Sequence, residues 1–141
     1  MIKRIALSTL LFFSISAFAD VTISNAWVRD TKPGQEVGAA YMTLKSPADT
    51  QLIKVESQSA GTVEIHEMSM NNGVMKMRML DTLALPANKA VQLSPGGFHL
   101  MLFDMKKPFV SGTQVDMVLT FKDKAGKLSK QKITVPVKTA L

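Results

Sequence analysis

Hydrophobic and polar residues alternate with a period of two along most of the chain, and turn-forming residues interrupt the alternation about every eight to twelve positions. The first segment, VTISNAWVR, puts Val21, Ile23 and Trp27 on one parity. The loop DTKPGQ follows, then VGAAYMTLK and QLIKVESQ, separated by SPADT. GTVEIHEM and VMKMRML flank Asn71-Asn72-Gly73. An Asn-Gly pair tolerates positive φ, so these two segments are expected as a hairpin or a close neighbouring pair. TLAL, AVQL and FHLMLFDM come next, broken by PANK and SPGG. In VDMVLTF, the residues Val115, Met117, Leu119 and Phe121 face one way, and after KDKAG the last segment puts Ile133, Val135 and Val137 on one parity. Pro136 cannot donate a ladder bond, which assigns that stretch to an edge or a bulge. No segment reads as a helix longer than a turn or two. The pattern predicts an all-β fold: a single domain over residues 20–141, folded as an antiparallel β-sandwich of roughly seven to nine strands with Greek-key connections.

Residues 1–19 read differently. Lys3 and Arg4 precede an apolar run that ends in Ala17-Phe18-Ala19, the layout of a secretory signal peptide cut after Ala19. The run is short for a spanning helix, so no stable membrane insertion is expected. The signal's brevity suggests a bacterial periplasm as the place of work. Cysteine is absent, which excludes disulfides, thiolate zinc sites and thiol catalysis, and removes the residue that a bacterial lipoprotein carries at its cleavage site. The formal charge is +6, and falls to +4 when Lys3 and Arg4 leave with the signal. The basic residues are scattered except in FKDKAGKLSKQK, where Phe121 is the one aromatic. That cluster reads as a solvated hairpin, and no nucleic-acid partner is expected.

The ten methionines change the picture more, set against only two histidines. Methionine is also the flexible gap-filler of cores, so placement has to decide. In GGFHLMLF the apolar parity is Phe98, Leu100 and Leu102; His99 and Met101 take the other. His66-Glu67-Met68 repeats the His-x-Met spacing. Residues i and i+2 of a strand lie on the same side, about 6.6 Å apart, so each His and Met can lean toward one ion. Between the two, Met75, Met77 and Met79 share a parity, opposite Lys76 and Arg78. Those methionines either pack inward or are presented at a site. Thioether sulfur is soft and uncharged; it binds hard dications poorly and suits Cu(I). From the residues alone, a soft-metal site and a methionine-padded core both stand.

The chain resembles the PCuAC-type periplasmic copper chaperones, whose signature is His-x10-Met-x21-His-x-Met. His66, Met77, His99 and Met101 match that spacing without a gap. Family-like phrases extend along nearly all of the chain after residue 19: NAWVR, GAAYMTL, VEIHEM, GVMKMR, GGFHLML and GTQVDMVLTF. The resemblance implies a cupredoxin-like sandwich and one Cu(I) per chain held by those four residues. Met68 is the foremost auxiliary donor, and Met70, Met75 and Met79 are a soft surround or packing. It further implies a role in supplying the CuA centre of a haem–copper (cytochrome c) oxidase, often beside thioredoxin-like Sco proteins; a monomer is expected. Some relatives add a His- and Met-rich tail; here no His or Met follows Met117, and no tail-borne second site is expected.

A metallochaperone is therefore expected, not an enzyme. The chain shows no paired carboxylates in a plausible site, no metalloprotease helix, no phosphate-binding glycine loop and no serine elbow. A blue-copper electron carrier needs a thiolate that is missing. The rival readings are copper sequestration at the same site, and a secreted interaction module that binds no metal.

Overall fold

The structure, a computed structural model, describes residues 20–140, so the signal-peptide expectation for residues 1–19 lies outside the described residues. Ten strands form: β1 (Thr22–Arg29), β2 (Gly38–Lys45), β3 (Thr50–Glu56), β4 (Ala60–Asn71), β5 (Val74–Leu80), β6 (Leu83–Leu85), β7 (Ala90–Leu93), β8 (Phe98–Met105), β9 (Gln114–Asp123) and β10 (Leu128–Lys138). Each alternating segment of the sequence becomes a strand, including the short TLAL and AVQL pieces, so the count exceeds seven to nine. The strands hydrogen-bond in the order β5-β4-β8-β7-β2-β1-β10-β9-β3-β6. The all-β, sandwich-like expectation holds. Strict antiparallelism does not: β1–β10 and β7–β8 pair in parallel. The chain changes halves after β2, β3, β5, β6 and β8, and the strand pairing that joins the two halves is Val28↔Val137 and Arg29↔Lys138. That join begins one residue after Pro136, so the proline lies where β10 has a partner on its β9 side alone.

Side chains from both halves form one buried cluster, with Leu44, Leu100 and Leu102 from one and Leu52, Leu119 and Phe121 from the other. Trp27 departs from its expected parity. A bulge between Ser24 and Trp27, with Asn25 at φ 51°, inserts a residue and reverses the alternation. Val28 then points inward, while Trp27 turns out against Tyr41, with ring centroids 4.8 Å apart. The Asn-Gly expectation holds: Asn72 (φ 50°) and Gly73 (φ 78°) close a two-residue β4–β5 hairpin.

Gly38 faces the core, opposite Leu102. A Cβ there would lie 2.7 Å from Cε2 of the buried Phe109 ring. Gly38→Ala is expected to lower the unfolding free energy by about 1–3 kcal/mol, as overpacked cores do. Urea denaturation measures this.

Candidate metal centre

The face of the β5-β4-β8 sheet turned away from the core carries the candidate chemistry. Ile65, Leu100 and Leu102 are buried in the core, so His66, His99 and Met101, of opposite parity, stand on the other side. On that side His66 faces His99 directly across the β4–β8 ladder, and Met101 is the next residue along, opposite Glu64. Across β4–β5, Met79 opposes His66, Met77 opposes Met68, and Met75 opposes Met70. Six of the nine methionines outside residues 1–19 thus share one sheet face with both histidines. Met42 and Met117 fill the core, as gap-filling methionines do, and Met105 packs against it.

Both imidazoles are held by one ring nitrogen. A carboxylate accepts only, so it is Nε2–H of His66 that donates to Glu64 Oε2 at 2.7 Å. His66 Nδ1 is buried and without a hydrogen-bond partner among the described residues. A buried polar atom left unpaired costs about 1–3 kcal/mol. His99 Nδ1–H donates to the Gly97 carbonyl at 3.0 Å, which frees Nε2. The same carbonyl accepts Met68 N–H at 3.1 Å, so the Ser94–Gly97 turn fixes His99 and β4 together. The ring centroids lie 5.7 Å apart. Two imidazoles sharing an ion, each at about 2 Å, have centres roughly 6 Å apart. The separation of the rings is short enough for both to reach one ion. Hydrogen-bonding the distal nitrogen is how proteins set the tautomer and orientation of ligating histidines.

The sulfur groups stand beside this pair. Met68, Met77, His99 and Met101 line one open cavity of about 490 Å³, walled also by Arg29 and Tyr41. His66 lies outside that lining, against Phe103 at 6.1 Å between ring centroids. Met77 is one strand and two residues from His66, and the intervening Met68 is nearer His99 along the sheet. Among the described residues, no three His, Cys, Asp or Glu side chains could hold a metal together; the soft side chains on the histidine face are thioethers. A cavity of about 550 Å³ at the Asp49–Lys124 end contains neither His nor Met in its lining. Glu64 and His66 are two residues apart on one strand and so share a face, but the hydrogen bond between them depends on rotamers that parity does not contain. The role of the Gly97 carbonyl had no sequence signal beyond the Gly-Gly turn.

A family profile described as "Putative lipoprotein LpqE-like" matches residues 21–137. The chain belongs to the LpqE-like family. "Putative lipoprotein Lxx21020" of Leifsonia xyli subsp. xyli is 31% identical over 121 residues, covering 84% of this chain and 69% of that protein. "Uncharacterized protein RP573" of Rickettsia prowazekii is 30% identical over 125 residues, with the same coverage. Among solved structures, the copper-bound PCuAC domain from PmoF2 matches this LpqE-like chain at TM-score 0.69 and 26% identity, covering 88% of this chain and 97% of that one. The solution structure of CuI-DR1885 from Deinococcus radiodurans matches at TM-score 0.62 and 27% identity, covering 84% and 78%. The PCuAC resemblance read from the sequence therefore holds for the fold. No helix among the described residues is long and apolar enough to cross a membrane.

Proposed function

We propose that this LpqE-like chain is an exported copper chaperone that holds one Cu(I) between His66, Met77, His99 and Met101 and releases it by ligand exchange. The observation that carries the reading is the facing pair of imidazoles, each oriented by one nitrogen and without a hydrogen bond at the other among the described residues, on a face otherwise set with thioethers. Copper in the two related PCuAC domains supports the choice of metal. The donor set is neutral, so the ion keeps its single charge; the carboxylate hydrogen-bonded to His66 lies near enough to offset it. Met68 is the auxiliary donor. Met77 is 50% exposed, which lets an incoming thiolate or imidazole displace its sulfur before the ion has dissociated, as transfer requires more than sequestration does. The chain works as a monomeric carrier in the periplasm after loss of residues 1–19. The recipients are the CuA centre of a haem–copper oxidase, a Sco-like thioredoxin-fold protein, or both.

Cu(I) competition against a chelator under reducing conditions tests the site. Wild type is expected to bind one ion, and replacement of each of His66, Met77, His99 and Met101 to weaken binding. Unchanged affinity in both Met77→Leu and Met101→Leu would remove the two sulfurs from the site, and a wild type that binds no Cu(I) would return the chain to the class of metal-free interaction modules. Deletion separates the biological rivals: oxidase assembly fails for a delivery protein and stays normal for a sequestering one.

Glu64→Gln keeps a hydrogen-bond acceptor for His66 and removes the charge. It is expected to lower Cu(I) affinity about tenfold, the lower end of what orienting partners contribute. An affinity equal to wild type in the same competition assay would remove Glu64 from the site.

A further inference from the structure

The β4–β5 ribbon carries three successive facing pairs on its His66 side: His66 with Met79, Met68 with Met77, and Met70 with Met75. No bulge interrupts the pairing from Ile65 to Asn71, so the six side chains rise from one surface. Packing does not account for the outer ones. Met70 is 67% exposed, Met75 48% and Met79 52%, whereas the core methionines Met42 and Met117 are 1% exposed. Clustered exposed apolar side chains mark a surface with a task.

We propose that Met70 and Met75 form a second, weaker site for a soft monovalent cation, through which Cu(I) enters and passes by Met68 and Met77 to the histidine pair. The proposal rests on Cu(I) being the cargo of that pair. Facing residues have Cβ atoms about 4.5–5.5 Å apart, so two flexible thioethers can close on one ion from both sides. Successive pairs are about 6.8 Å apart along the strands, a gap the unbranched methionine side chains can bridge. Each step forms one sulfur–metal bond as another breaks; the ion stays monovalent and no proton moves. On the β4 side exposure falls from Met70 through the half-buried Met68 to His66 at 9%, with His99 on β8 at 5%, while the β5 partners Met75, Met77 and Met79 stay about half exposed. The ion therefore loses its water in stages from the β4 side, exchanging it for sulfur and then nitrogen. The tip pair has no imidazole, which makes it the weaker end and gives the route its direction.

The test titrates Ag(I), a soft monovalent ion that does not change oxidation state here, into the full chain carrying ¹³C-methyl methionine. The first equivalent is expected to shift the Met77 and Met101 methyl signals, and the second to move those of Met70 and Met75 together. Met70→Leu combined with Met75→Leu is close in volume and confined to exposed positions, so the fold should persist. The double variant is expected to lose the second event and keep the first. Its Cu(I) loading from a chelator-buffered pool should slow about tenfold, because an ion captured at the tip is presented to the next pair at high effective concentration. Methyl signals of Met70 and Met75 that stay still in excess Ag(I) would overturn the proposal, as would an unchanged loading rate in the double variant. That second result would instead favour a protein-docking role for the ribbon. Loss of even the first event in wild type is a different failure: it would sink the Cu(I) reading itself, and this route with it.

Discussion

Replacing His99 by alanine is expected to lower Cu(I) affinity by more than about 100-fold, because even partners that only orient a ligand contribute about 10–100-fold. His99 is 5% exposed and its Nδ1 is already committed to the Gly97 carbonyl, so the ring cannot swing aside without breaking a partly buried hydrogen bond. Nε2 is thus held in place before any ion arrives, and the affinity includes little cost of ordering the side chain. Its opposite number, His66, has a buried Nδ1 that nothing else pairs. In the variant the remaining imidazole and the sulfurs must hold the ion alone. Thioethers are weak, neutral donors, and moving one of them inward does not replace a nitrogen. Chelator competition reads the affinity, and a thermal melt of the metal-free variant checks that the fold survives. Affinity within about threefold of wild type, in a folded variant, would mean that His99 is a buried structural histidine and not a ligand.

The strands were legible because their alternation is strict. Val115, Met117, Leu119 and Phe121 all turned inward as their shared parity required. Trp27 did not follow Val21, because one left-handed residue, Asn25, inserts a bulge, and a bulge is a backbone event that the side-chain pattern does not announce. The parallel β1–β10 and β7–β8 pairings were hidden for a related reason: periodicity assigns faces and leaves strand neighbours open. The same limit applies at the metal centre. Parity put His99 with Met101, and His66 with Met68, but only the register of β4 on β8 brings the two histidines face to face. The choice between packed and presented for Met75, Met77 and Met79 depended on where β5 lies in the sheet. It is an edge strand, exposed along nearly its whole length, so those methionines are presented.

Leu100→Ala is expected to lower the unfolding free energy by about 2–5 kcal/mol, a large share of the roughly 5–15 kcal/mol that holds a domain of this size together. Leu100 is fully buried and pairs with Ile65 on β4 and Ala40 on β2. Ala40 has too short a side chain to move into the space, so much of the removed volume persists as a cavity. A lower urea midpoint with an unchanged slope is the expected signature. The position tests more than packing, because its neighbours His99 and Met101 point the opposite way. One face of β8 carries the stability of the fold and the other its chemistry. Met77→Leu is the complement: on an exposed strand it should change the unfolding free energy by less than about 0.5 kcal/mol while weakening Cu(I) binding. A Leu100→Ala protein that unfolds at the wild-type midpoint would show that this side chain is not in the core. The alternation that separates Leu100 from His99, and with it the outward placing of the imidazoles, would then be wrong.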